Sequence, residues 1–291
     1  MSPSTQGTVA ALIAYGVWGV FPIYFKQIAS VTPLDVVGWR IVLCFVLLFA
    51  MFLLWQGPMK LARKLATIDQ WWLLLSSSIL LSCNWLVFVY AMKTNQILQS
   101  SLGYFLVPIV SVGLGVFVFK EKTNQFKLMA VGIAIVGMVV TFVVAGVLPW
   151  ISLALGITFG IYGMLRKKAR YDSAIGLFLE TSVLLPVAVV YVVFWAEPLA
   201  SFDSQTRSWV YLLGVVTALP LLTMIYAARR IELSALGFFQ YITPCMHLLL
   251  AIVVYNESID LSRLIALITT LVAVGFWLIG SLPGFAANKP G

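Results

Sequence analysis

The chain has 291 residues, of which 62% are hydrophobic and only 10% are charged, with a net charge of +8. An ordinary soluble domain carries about 25% charged residues, so this composition excludes a soluble globular protein. Continuous apolar runs of about 18 to 23 residues recur along the chain, each long enough to cross a lipid hydrocarbon core. They predict an all-α integral membrane protein. Membrane β-barrels are disfavoured, because they need segments of about ten residues with alternating polarity.

The apolar runs predict ten membrane-spanning helices. In chain order, the predicted spans are residues 8–26, 34–55, 71–92, 97–119, 126–146, 148–165, 174–195, 208–228, 233–255 and 261–281. The stretch before the first span lacks the basic segment of a cleaved signal peptide. We therefore expect the first helix to be retained.

The distribution of basic residues predicts the orientation of the spans. Ten spans place both termini on one side, and that side receives 13 of the 18 Lys and Arg residues, including Arg166 and Lys167, while the other side receives 5. Basic residues collect on the cytoplasmic side of membrane proteins. We therefore expect both termini to be cytoplasmic, and the basic charge is explained without nucleic-acid binding.

Two parts of the chain resemble each other at a constant separation of 136 residues. Residues 90–122 align without a gap with residues 226–258, and farther upstream residues 18–26 resemble residues 159–167. The matched pairs in the longer alignment include Tyr90 and Tyr226, Ala91 and Ala227, Lys93 and Arg229, Pro108 and Pro244, and Glu121 and Glu257. Matches of this number in one register indicate an internal repeat.

The repeat predicts two copies of a five-helix unit, at residues 8–146 and 148–281. Because five is odd, the second copy enters the membrane from the opposite face, which gives inverted repeats related by a twofold axis in the membrane plane. Inverted repeats suit alternating access, since two similar halves can exchange conformations. Glu121 and Glu257 end matching spans at opposite faces, either as anchors of gates or loops or as solvated charges.

Pro108 and Pro244 stand near the middle of the fourth and ninth predicted spans. A proline inside a helix lacks a backbone donor and frees the carbonyl four residues earlier, which here belongs to Tyr104 and Gln240. Such carbonyls need partners in protein or in a wet cavity. The two kinks therefore predict a substrate cavity beside Tyr104, Gln240 and Tyr241, and a kink that only improves packing is the alternative.

Arg40 and Glu180 are the ionisable side chains predicted to lie inside the membrane, each roughly 9 Å deep in its helix and at similar positions of the two repeats. Arg40 is a candidate for attracting an anionic substrate group, and Glu180 for binding a proton or a cationic group. Alternatively, Arg40 extends to the interface and Glu180 is a structurally paired or protonated acid. We expect no ion pair between them, because inversion separates their depths by roughly 12 Å.

Further candidates for the cavity wall are aromatic or polar. Trp18, Asn84 and Trp85 offer aromatic and amide surface that suits an amphipathic solute, although plain packing is the alternative. His247 is the single histidine of the chain. It is a candidate for tuning substrate choice, with an interhelical hydrogen bond as the alternative.

Several motifs carry a family resemblance. They are Asn84–Trp85 ("NW"), Ser101–Phe105 ("SLGYF"), Arg166–Lys168 ("RKK"), Ala218–Leu222 ("ALPLL") and Leu236–Pro244 ("LGFFQYITP"). In these motifs, and over nearly its whole length, the chain resembles the RarD-type branch of the EamA family of drug/metabolite transporters. The resemblance implies a ten-helix fold of two EamA repeats, a bacterial inner-membrane location and a permease role. Similar proteins tend to differ at Gln99, Trp39 and His247, so the resemblance does not specify the substrate.

The expected function is secondary transport of a small amphipathic metabolite or drug across the lipid bilayer. The chain has no P-loop motif for ATP hydrolysis, and it does not offer an enzyme's concentrated set of catalytic groups. Cys44, Cys83 and Cys245 lack the spacing of metal ligands, so we expect no metal and no cofactor. A channel or a signalling membrane protein is the alternative. Proton coupling through Glu180 is a hypothesis, and the sequence leaves open whether the chain forms a homodimer.

Overall fold

The computed structural model describes residues 2–55, 59, 63, 65–66, 69–94, 96–146, 149–255 and 261–282. The first half of the chain, up to residue 146, contains α1 (Pro3–Gly19), α2 (Phe21–Gln27), α3 (Pro33–Trp55), α4 (Trp71–Lys93), α5 (Ile97–Phe119) and α6 (Gln125–Ala145). The second half contains α7 (Trp150–Lys168), α8 (Ser173–Phe194), α9 (Ser204–Tyr211), α10 (Leu213–Ala228), α11 (Leu233–Phe239), α12 (Ile242–Val253) and α13 (Leu261–Ser281).

The described part of the chain holds seven helices, with α9 and α10 counted together, that are long and apolar enough to cross a membrane. The number is eight if α1 and α2, which meet at a 41° bend, form one span. The prediction of a multi-pass helical membrane protein is thus confirmed. With α1 and α2 counted as one span, eight of the ten predicted spans are found and two are not. In the span predicted at 148–165, α7 continues into three basic residues, and the span predicted at 233–255 is broken into α11 and α12.

Prolines explain where two of the helices break. Pro22 lacks the N–H that would bond to the carbonyl of Trp18, and the chain bends between α1 and α2. Pro244 likewise frees the carbonyl of Gln240, where α11 gives way to α12. The matching α5 differs, because it continues through Pro108 without a break.

Helices of the first half pack mainly against helices of the second half. α5 lies against α7 and α11, α4 against α7 and α8, and α6 against α13. α1 lies against α10 and α12, and α3 against α8 and α10. The core between them is largely apolar, while large apolar side chains such as Phe117 and Val143 are about three-quarters exposed on the outside. An apolar exterior of this kind is the surface that lipid covers.

Small residues allow α5 and α7 to approach closely. A Cβ atom on Gly156 of α7 would lie 2.7 Å from the Cβ of Leu106, and one on Gly103 of α5 would lie 3.0 Å from the Cβ of Leu155. These distances are shorter than normal van der Waals contacts. Close backbone approach at small residues is a common way for helices to associate in membranes.

We expect Gly156→Ala to destabilise the protein by about 1 to 3 kcal/mol, because the added methyl group must push α5 and α7 apart. Thermal unfolding of the purified protein in detergent measures the change. The matched control is Gly113→Ala in α5, where a new Cβ meets no atom within 4 Å. Equal stability of the two variants would contradict this account of the packing.

Candidate functional site

A cavity of about 860 Å³, including its open mouth, lies between helices of the two halves. Its lining combines many aromatic rings with a few polar groups and a single permanent charge. The lining residues are Tyr15, Trp18, Phe21, Phe25, Arg40, Asn84, Trp85, Phe88, Tyr104, Val107, Phe159, Leu221, Gln240, Thr243 and His247.

The cavity brings together seven of the nine substrate-binding candidates from the sequence. They are Trp18, Arg40, Asn84, Trp85, Tyr104, Gln240 and His247. Glu180 and Tyr241 are not among the lining residues. Tyr241 instead packs against Phe238, with ring centroids 5.7 Å apart, in a buried apolar cluster. The part that any of these residues plays in transport stays a prediction.

Several lining residues are counterparts of one another in the sequence repeat. Pairs separated by 136 residues are Trp85 and Leu221, Tyr104 and Gln240, and Val107 and Thr243, while Trp18 and Phe159 match in the upstream alignment. The rings of Trp18 and Phe159 are in contact, with centroids 5.9 Å apart. The predicted repeat thus aligns several residues of one cavity wall with residues of the other.

Arg40 brings the charge of the cavity from α3. Its guanidinium group lies over the ring of Trp85, 4.4 Å from the ring centroid, which is the geometry of a cation–π contact. Its Nε atom is buried and has no hydrogen-bond acceptor in the described part of the chain. No Asp or Glu lines the cavity among the described residues. The site therefore presents an unneutralised positive charge beside aromatic surface.

Polar side chains of α12 hold the broken end of α1. His247 donates from Nε2 to the carbonyl oxygen of Trp18 at 2.9 Å, and the hydroxyl group of Thr243 donates to the carbonyl of Tyr15 at 3.0 Å. The Trp18 carbonyl is the one left free by Pro22. His247 therefore makes an interhelical hydrogen bond and also lines the cavity. The proline four residues after Trp18 was the signal in the sequence for this contact.

Asn84 and Gln240 also connect helices at the cavity. The amide group of Asn84 donates to the carbonyl of Leu155 at 3.0 Å and to the hydroxyl of Thr158 at 2.9 Å, which ties α4 to α7. The side-chain oxygen of Gln240 lies 3.5 Å from the hydroxyl of Ser111 on α5. Both amides thus position the cavity wall.

Glu180 belongs to a separate, fully buried cluster. Its carboxylate accepts hydrogen bonds from Ser77 at 2.5 Å and Tyr162 at 3.0 Å, and forms an ion pair with Arg166 at 3.5 Å. Glu180 is thus the structurally paired acid that the sequence left as an alternative. Burial raises the pKa of the neighbouring loop residue Tyr171 above its ordinary value.

Arg166 corrects the assignment of basic residues to loops. The sequence places it in a loop after the span predicted at 148–165, but it stands in the last turn of α7 with a side chain only 1% exposed. A buried charge needs a partner, and Glu180 provides it. The depth of Glu180 was the available signal, because a buried carboxylate requires a nearby counter-charge.

A third cluster joins the two halves at the far end of α5. The carboxylate of Glu121 accepts hydrogen bonds from the backbone N–H groups of Leu233 at 2.5 Å and Ser234 at 2.9 Å, at the start of α11. Lys167 forms an ion pair with Glu121 at 3.6 Å and donates to the carbonyl of Ile231. Glu121 therefore anchors a helix start. Its repeat partner Glu257 lies outside the described residues.

Neither the cavity nor these clusters resembles a metal site. In the ranges that the structure describes, no group of three or more His, Cys, Asp or Glu residues is placed to hold a metal ion. The cysteines at 44, 83 and 245 are free thiols.

Comparison with known proteins relates this architecture to a family. The EamA-like transporter family matches residues 5–143. An "uncharacterized transporter" of Vibrio cholerae is 38% identical over 99% of both chains, and protein RarD of Salmonella typhi is 35% identical over 95% of this chain and 96% of its own. The chain belongs to the EamA family. It is a RarD-type EamA protein, which confirms the resemblance seen in the motifs, and it is a membrane transporter.

A solved crystal structure supports the same fold. It superposes on this EamA protein with a TM-score of 0.73, at 16% sequence identity, over 94% of this chain and 97% of the other. At this identity the likeness shows the fold alone.

We expect Glu180→Gln to lower the stability of the protein by about 3 kcal/mol or more, because it leaves Arg166 buried without a carboxylate. The double variant Arg166→Met with Glu180→Leu removes both charges and should be more stable than Glu180→Gln. Thermal unfolding in detergent measures both. The exposed Glu197 provides the control Glu197→Gln, which should match the wild type. If Glu180→Gln were as stable as the wild type, the role of Glu180 as the partner of Arg166 would be contradicted.

Proposed function

We propose that this EamA protein is a secondary transporter of a small amphipathic metabolite or drug, and that it works by alternating access. The observation that carries the proposal is the cavity, whose walls come from equivalent positions of the two halves. Rings line most of it, and Arg40 with the polar residues of α4 and α12 supplies polar contacts. An amphipathic solute matches this mixture of surfaces.

The packing of the helices supports two inverted five-span repeats. We count α1 with α2 as one broken span, and α11 with α12 as another. If each span is then replaced by its counterpart in the other half, every main helix contact becomes another contact that is also observed. The contact of α1 with α10 becomes that of α7 with α4, and the contact of α1 with α12 becomes that of α7 with α5. Three further contacts join a helix directly to its own counterpart: α3 with α8, α5 with α11 and α6 with α13. Alternating access in inverted repeats uses this kind of exchange.

The two ends of the bundle differ in a way that supports a state open at one end. Phe88 near the end of α4 and Tyr104 near the start of α5 place the cavity toward the end where these helices connect. At the opposite end, Glu121 holds the start of α11, and Lys127 forms an ion pair with Glu232 at 3.8 Å. Contacts across the halves thus close the end away from the cavity.

The charge distribution supports the location and orientation. The closed end carries Lys127 and Lys167, which belong to the basic side of the predicted topology. We therefore propose that this end and both termini are cytoplasmic in the bacterial inner membrane, so that the cavity opens to the outside. Proton coupling through Glu180 and homodimer formation stay predictions, and the ion pair with Arg166 favours a structural role for Glu180.

The transport proposal is tested by comparing the solutes exported by cells that overexpress the protein with those exported by cells that lack it. Each enriched solute is then tested for counterflow in proteoliposomes. A carrier gives saturable flux that is stimulated by substrate on the opposite side, whereas a channel gives flux without such stimulation. If no solute differs between the two strains, the proposal fails.

For a solute that shows counterflow, we expect Phe88→Ala to raise the KM about tenfold, because a ring in contact with a ligand contributes on the order of 1.4 kcal/mol. The matched control is Phe117→Ala, which removes the same ring from the exposed outer face of α5. It should leave the KM unchanged. Equal effects of the two substitutions on counterflow would place the binding site elsewhere.

A further inference from the structure

The two arginines that reach into the protein interior have opposite surroundings. Arg166 is neutralised by Glu180 at 3.5 Å. Arg40 has no such partner, since no described carboxylate lines its cavity. The acidic residue nearest to it on α3, Asp35, accepts a hydrogen bond from Tyr191 at 2.8 Å instead. One interior arginine is thus paired with a carboxylate of the protein, and the other is not.

The repeat shows where the missing charge would stand. Arg40 aligns with Glu180, and in the upstream alignment Phe25 aligns with Arg166. The second half therefore holds an arginine and a glutamate at these two positions, whereas the first half holds an aromatic ring and an arginine. Because Phe25 and Arg40 both line the cavity, the cavity occupies the place of the absent counter-ion.

The contacts of Arg40 leave its donors available to a ligand. The guanidinium carbon lies over the ring of Trp85, and the N–H groups of arginine donate in the plane of the guanidinium group. The Nε atom has no acceptor among the described residues. An oxyanion bound at the edge of the group would form charge-assisted hydrogen bonds, which are about twice as strong as neutral ones. It would also neutralise a charge that is costly at membrane depth.

We propose that the substrate is an amphipathic monocarboxylate, whose carboxylate pairs with Arg40 and whose apolar body lies against the rings of Trp18, Phe88 and Phe159. This inference rests on the proposed transport function and adds the charge and polarity of the solute. The ligand supplies the negative charge that Glu180 supplies in the other half.

The test is equilibrium binding to the full chain in lipid nanodiscs. The probes are 3-phenylpropionate and octanoate, each compared at neutral pH with its amide and with the corresponding primary amine. These series keep the apolar body and change the charge from negative to neutral to positive. We expect saturable binding of at least one carboxylate, at least about tenfold tighter than that of its amide, because the amide has no negative charge and cannot form the ion pair with Arg40. We expect no binding of the amine.

Variants of Arg40 connect this preference to the site. Arg40→Gln should weaken carboxylate binding at least about tenfold and abolish the preference over the amide, and Arg40→Lys should retain part of both. The control Arg170→Gln alters an exposed arginine in a loop and should bind like the wild type. Native elution in size-exclusion chromatography identifies folded variants. If Arg40→Gln does not fold, the test is whether Arg40→Lys shows a weaker preference for the carboxylate than the wild type.

The inference is overturned if neither carboxylate binds, if an amide or an amine binds as tightly as its carboxylate, or if folded Arg40 variants keep the wild-type preference. The transport function is tested separately, by comparing the solutes exported by cells that overexpress the protein with those exported by cells that lack it. An exported solute that is neutral or cationic would refute the anionic substrate and leave the transporter proposal intact. Absence of any exported solute would refute the transporter proposal itself.

Discussion

A polar group that is buried in hydrocarbon must find its partner within the protein, because no water is available to replace a missing hydrogen bond. The break between α1 and α2 shows how this constraint acts. Pro22 frees the carbonyl of Trp18, and His247 from α12 donates to it. At the second break, the carbonyl of Gln240 accepts from the backbone N–H of Thr243. The partners that satisfy these carbonyls also draw α1 and α12 together around the cavity.

The same constraint explains why the buried charges differ in their role. Glu180 and Arg166 neutralise each other's charge, and Ser77 and Tyr162 add hydrogen bonds to the carboxylate, so this cluster connects α4, α7 and α8. Arg40 is stabilised only in part, by the face of Trp85. A charge that the protein leaves incompletely satisfied is costly to keep. Such a cost is understandable where a ligand completes the interaction.

The sequence predicted the helical membrane class and seven of the fifteen residues that line the cavity, because long apolar runs and duplicated prolines are strong local signals. It did not predict the position of Arg166. A basic residue at the end of an apolar run looks like an interfacial charge, and span ends are uncertain by a few residues. It also did not distinguish Pro108 from Pro244. Both lack the same donor, yet α5 continues and the other helix breaks, since the outcome depends on partners from distant helices.

The cavity wall shows why the predicted repeat does not require a symmetric site. Positions that pack helix against helix, such as the pair of prolines, are constrained by shape in both halves. Side chains that face a cavity are packed on fewer sides, so substitution there meets fewer steric limits. Tyr104 and Gln240 are counterparts in the predicted repeat. One contributes an aromatic surface to the cavity and the other a polar surface. A wall of unequal halves can orient an amphipathic solute, which a symmetric wall of identical residues could not do.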